Sequence, residues 1–143
     1  MRSKLLDATG QKTFALIFDK GDEVVAELTA FAKKESGAAA HLTAIGAFSA
    51  VTHGYFDRTT KSYLKIPVRE QVEVLSLIGD IARAKEGPQV HAHVVIGSRD
   101  GTARGGHLLD ARVWPTLEVI LVESPRHLHR HHDPASGLAL IEV

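Results

Sequence analysis

Apolar residues fall into short runs along most of the chain, and their period changes from two-fold to helical once, near the start. Phe14-Ala-Leu-Ile-Phe18 is an apolar run bounded by polar residues and reads as a buried strand. From Asp22 to about Glu35, Val24, Val25, Leu28, Phe31 and Ala32 recur at helical spacing. Asp22 and Glu23 stand where the helix dipole favours acids, Lys33 and Lys34 fall in the last turn, and Gly37 can close the helix. After Gly37 the pattern is that of strands, at roughly 40–47, 50–57, 62–68, 72–79, 89–97, 103–110, 115–123 and 138–143, separated by Gly, Pro, Asp and Ser. One main helix against many strands predicts an α+β fold. The strands follow one another too closely for crossover helices, so the sheet is expected to be mostly antiparallel and strongly curved, approaching a barrel. Its edges would need covering, which oligomerisation can supply.

Within that pattern His91-Ala-His93 carries the clearest chemistry. Val90, Ala92, Val94 and Ile96 form the apolar alternate face of a strand, so His91 and His93 share the other face, roughly 6–7 Å apart at about 3.3 Å of rise per residue. Thirteen residues separate His93 from His107, and among them Asp100-Gly101 is a hairpin signal that would bring His107 back beside the first two. Three imidazoles with an open fourth position suit a catalytic zinc ion rather than a sealed structural one. A His-x-His pair is also found on plain solvated strand faces, so both readings stand at this point. Gly105 and Gly106 would let the backbone approach a ligand or a neighbouring strand closely, or form a bulge.

Composition narrows the choice. The chain has 143 residues, 44% of them hydrophobic and 24% charged, the make-up of one globular domain spanning 1–143. With no cysteine, disulfides and thiolate sites are excluded, so any metal must be held by His and carboxylate. No run of about eighteen apolar residues suggests a membrane span, and no secretory leader is recognised at Met1, so a cytoplasmic location is the default expectation. Seventeen basic residues balance seventeen acidic ones, and no basic run exceeds Lys33-Lys34, which predicts weak or absent DNA binding.

Glu73 and Glu118 each interrupt an apolar run, where a carboxylate is costly unless paired or serving a site; both are candidate catalytic groups, with a structural ion pair as the alternative. Burial would raise the pKa of Glu73 toward a useful range for a general base. Thr43 and Tyr55 could offer polar tips to the same cavity, whereas His41 and His53 read as strand-face residues. His127, His129, His131 and His132 crowd a segment with no firm frame, which favours adventitious over specific metal binding.

Leu42-Thr-Ala-Ile-Gly-Ala47, Val72-Glu-Val-Leu-Ser-Leu-Ile-Gly79, His91-Ala-His-Val-Val-Ile-Gly97, Gly105-Gly-His-Leu108 and Pro115-Thr-Leu-Glu-Val119, in this order, resemble the PPC (plants and prokaryotes conserved) domain, also called the domain of unknown function 296. The similarity spans about residues 12–143. The resemblance implies a compact α+β domain that assembles as a homotrimer and is related in fold to acetolactate decarboxylase, a zinc enzyme with three histidine ligands. The family's histidine pattern falls on His91, His93 and His107. In plant members the domain follows AT-hook DNA-binding motifs, and stand-alone bacterial members are commonly labelled DNA-binding. This chain has no Arg-Gly-Arg-Pro core of such a hook, and Glu70-Gln-Val-Glu-Val-Leu75 retains only Glu73 and Leu75 of the plant partner-contact motif. The resemblance therefore implies a trimeric three-histidine metal protein that binds or acts on a small ligand, or else a non-enzymatic DNA-associated or assembly module.

Overall fold

A computed structural model of the chain describes residues 1–7, 10–35, 39–124 and 129–142. In chain order the elements are β1 (Arg2–Asp7), β2 (Thr13–Phe18), α1 (Val24–Lys34), β3 (Ala40–Asp57), β4 (Ser62–Val68), β5 (Val72–Ala84), β6 (Gly87–Gly97), β7 (Ala103–Glu123), β8 (His129–His132) and β9 (Ala139–Glu142). The expectation of one helix against a mostly antiparallel, curved sheet is met: among the described residues the ladder pairs are antiparallel except a single parallel bridge between Arg83 of β5 and His129 of β8.

Closure comes from β3, β5, β6 and β7, each paired to the next around a circuit, since β3 pairs both β5 and β7 while β6 pairs the same two strands from the other side. Such a circuit has no free edge of its own. Two strands long enough to serve more than one neighbour make it possible, and they bend at bulges. In β3 the register shifts between Gly46 and Phe48 and again before Ala50, and Ala47 and Phe48 are consecutive buried residues there.

That break in alternation explains why the sequence reads as two strands, 40–47 and 50–57, where the protein has one. Likewise 103–110 and 115–123 are one strand, which runs through the cis peptide between Trp114 and Pro115. The first strand, β1, lacks any apolar alternation because every residue in it is exposed, and it escapes pattern reading for that reason.

Helix α1 is shorter than the periodicity suggests because Glu23 caps it: its carboxylate accepts from the Ala26 amide at 2.6 Å and from the Ala111 amide at 3.1 Å, tying the helix start to β7. Gly37, expected to close the helix, lies outside the described residues. Val24, Leu28, Phe31 and Ala32 turn inward onto a core that includes Leu16, Phe18, Leu42, Phe48, Leu77, Ala92, Val94, Ile96 and Leu117. The apolar face of β6 is thus spent on the core, and its histidine face is left outward.

Candidate metal centre

Strand alternation alone fixes two of the three histidines. Ala92 and Val94 are buried at 2% and 1% exposure, so His91 and His93 project from the opposite, outer face of β6. A tight turn at Ser98–Thr102, in which the Gly101 amide donates to the Ser98 carbonyl at 2.9 Å and Gly101 has φ +84°, reverses the chain into β7. The return register then sets His107 directly across from His93.

The glycines before it are needed for that approach. A β-carbon on Gly105 would fall onto the backbone of Val94, and one on Gly106 would meet the Gly54 carbonyl and the His53 ring. Their role is therefore close contact between strands of the same chain.

His91, His93 and His107 bring one nitrogen each to within 4.8 Å of one another. The ring centroids of His91 and His107 lie 5.0 Å apart, and those of His93 lie 5.2 Å from His91 and 5.5 Å from His107. Outer groups occupy one nitrogen on two of the rings: Tyr63 Oη is 3.3 Å from His107 Nδ1, and Arg130 Nη2 is 3.3 Å from His91 Nδ1. Tyr63 can accept from His107 Nδ1–H and so leave the Nε2 lone pair for a metal, as an outer hydrogen bond does when it orients a ligand, whereas Arg130 can only donate to His91 Nδ1.

Burial holds His107 down to about 4, reinforced by the neighbouring His91 and His93 and by Arg130. Burial also lowers His91, with Arg130 adding to it and Asp80 opposing. Neutral imidazoles with free lone pairs are the form a metal requires. The donor set, all nitrogen with no thiolate in the chain, fits zinc or another imidazole-binding divalent ion.

An open groove of about 440 Å³ reaches the centre from the side of β3, lined by His41, Thr43, Ile78, Asp80, His91 and His93. Thr43 thus faces the same space as the histidines. Tyr55, 67% exposed, is not among the residues lining that groove.

Glu73 and Glu118 lie apart from the cluster. Both are exposed, because alternation places them on the outer face of the sheet while Val72, Val74, Leu117 and Val119 point into the core. The expectation of a partly buried Glu73 is corrected by that alternation. Glu73 pairs with Gly97, five residues along β5 from Ile78, the partner of His93, which is on the order of 15 Å at about 3.3 Å per residue. Glu118 lines a second outer groove with Ile45, Leu75, Ile78 and Ile120, continuous with the first through Thr43 and Ile78.

The remaining histidines divide differently from their reading in the sequence. His53 is 2% exposed with neither ring nitrogen bonded to the protein, and burial, followed by the Arg104 charge, lowers its pKa. His129, His131 and His132 are exposed on β8, a real strand paired with β9, whereas their expected frame was a loop; His127 lies outside the described residues.

Sequence reading missed Asp80, Tyr63 and Arg130. Asp80 sits directly across from His91, Tyr63 reaches His107 from β4, and Arg130 arrives from the far end of the chain. Only Asp80 left a local signal, as a carboxylate in the strand next to the histidines.

Comparison with known proteins bears on both the fold and the centre. A search of curated proteins finds no match. Among solved structures, a metal-containing protein from Archaeoglobus fulgidus is 35% identical, with 92% of this chain and 94% of that one covered and a TM-score of 0.85. A plant- and prokaryote-conserved protein from Pyrococcus horikoshii is 30% identical over 96% of this chain and 98% of its own, with a TM-score of 0.87. A protein from Bacteroides thetaiotaomicron, named as a candidate DNA-binding protein, is 26% identical over 98% and 96%, with a TM-score of 0.87. The relation to acetolactate decarboxylase holds at the level of fold: a Staphylococcus aureus protein described as similar to that enzyme matches at 14% identity and a TM-score of 0.54, covering 85% of this chain and 53% of that one. The profile of the Plants and Prokaryotes Conserved (PCC) domain matches residues 6–125, and the chain belongs to that family.

Proposed function

We propose that this chain is a metal-binding protein that holds one divalent ion, zinc, on His91, His93 and His107, and that a small oxygen-bearing ligand docks beside it through the groove at Thr43 and Ile78. The observation that carries this reading is the convergence of three imidazoles within 4.8 Å, with Tyr63 beside His107 and Asp80 beside His91. The metal-containing relative from Archaeoglobus fulgidus supports it. A bound zinc with an open position would polarise a carbonyl or make a bound water more acidic. The residues of the chain would hold the ion, orient it from outside through Tyr63 and Asp80, and wall the groove with aliphatic side chains.

The working unit in this reading is a homotrimer. Ile45 is 60% exposed, Ile78 56%, Leu75 52% and Ile120 45%, and all four line one outer groove, an apolar surface suited to a second copy. A general-base role for Glu73 or Glu118 requires that such a contact bring one of them to the histidines of a neighbouring copy. No described helix is long and apolar enough to cross a membrane.

Elemental analysis of untagged protein tests the metal assignment: about one zinc per chain is expected, and its loss in His107→Ala. Absence of stoichiometric metal, with added zinc binding equally to the variant, contradicts it. The second reading, a DNA-associated module, is favoured by the name of the Bacteroides relative and opposed by the balanced charge of the chain.

A further inference from the structure

We infer that Asp80 and Arg130 are positioning residues for His91, and that between them they select which nitrogen of its ring faces the centre; this rests on the metal-binding reading above. Arg130 and His53 are the buried polar or charged side chains among the described residues, and Arg130 alone of the two carries a fixed charge. A buried guanidinium is costly unless paired. Its Nη1 donates to the Ala139 carbonyl at 2.9 Å, anchoring it in the β8–β9 hairpin, and its Nη2 donates to Asp80 Oδ1. The pair therefore clamps the C-terminal hairpin onto β5 beside the histidine cluster.

Two groups contend for His91 Nδ1. Arg130 Nη2 lies 3.3 Å from it and Asp80 Oδ2 lies 3.8 Å from it. A guanidinium only donates, so its contact needs the Nδ1 lone pair and puts the ring hydrogen on Nε2, where it blocks coordination. An ionised carboxylate only accepts, so its contact needs Nδ1–H and frees the Nε2 lone pair for a metal.

The ring is neutral in both arrangements. They differ in one proton given up to water at Nε2 and one taken back at Nδ1. Tyr63, beside His107, forces no such choice, because a phenol both donates and accepts. The Arg130 contact is the shorter of the two, so the metal-free ring is expected to start with its hydrogen on Nε2. Metal binding then needs the hydrogen on Nδ1, donated to Asp80, which Arg130 holds in place.

The test combines nitrogen-15 NMR of histidine-labelled, metal-stripped protein with zinc and cobalt titration of the parent, Asp80→Asn and Arg130→Lys. In the parent, His91 should carry its hydrogen on Nε2 without metal and on Nδ1 with zinc. Asp80→Asn should bind zinc about 10–100-fold more weakly and shift the visible spectrum of the cobalt form. Arg130→Lys, which keeps the charge but loses the two-nitrogen fork that spans Ala139 and Asp80, should lose less affinity and show more of the Nδ1–H form before metal is added. Parent-like affinity, spectrum and tautomer in either folded variant overturn the inference, and loss of fold in both does so too, by making the pair purely structural. A parent that takes up no cobalt or zinc contradicts the metal reading itself, whereas equal binding by parent and variants removes only the positioning role.

Discussion

His53 illustrates how little a residue name says without its surroundings. In the sequence it resembles His41, one more polar residue in a strand; in the fold His41 borders the groove and His53 is sealed beside Gly106. Burial lowers the pKa of His53 below the usual 6.5, so the folded chain keeps it neutral while the unfolded chain takes up a proton. The unfolded state then binds more protons as the pH falls below 6.5, and the contribution of His53, complete above that value, is lost on acidification. Thermal melts of metal-free protein between pH 7 and 5 should show a falling Tm, and His53→Leu should flatten that fall. An equally steep profile in the variant would assign the acid sensitivity elsewhere. Tyr63→Phe is the companion test at the centre: it keeps the ring that packs 4.5 Å from His107 and removes the hydroxyl on Nδ1. Zinc affinity should drop by about ten-fold or more with Tm nearly unchanged, and unchanged affinity would deny Tyr63 an orienting role.

At the scale of elements, the β6–β7 hairpin was the most legible part of the chain. Its alternation, its Asp-Gly turn and the position of His107 are all local signals, and the register that joins His93 to His107 follows from them. Long-range partners were not legible. Arg130 and Asp80 are fifty residues apart in the chain and meet only because β8 lies along β5. The expected burial of the two Glu residues failed for a related reason: within an apolar run, alternation can still turn every second side chain to solvent when only one face is buried. The hairpin also makes a sharp prediction. Gly105→Ala would drive a methyl group into the Val94 backbone, next to the residue pair that joins two ligands, and should cost about 1–3 kcal/mol by overpacking and lower metal content together. Denaturant titration and elemental analysis check both effects, and a variant with parental stability would show that the strands can part without loss.

For the whole molecule, the closed circuit of β3, β5, β6 and β7 spends the inner faces on one core and leaves an outer face where apolar side chains and histidines are neighbours. If copies meet on that face, Ile78→Glu should break the assembly, because it plants a charge among Ile45, Leu75 and Ile120. Light scattering should give three times the chain mass for the parent and one for the variant; a monomeric parent at micromolar concentration contradicts the trimer. The histidine centre itself is most directly tested by crystals of untagged protein grown without added metal and measured on either side of the zinc absorption edge. One anomalous peak per chain is expected among His91, His93 and His107, and no peak there, either in these crystals or after a zinc soak, would contradict the metal assignment.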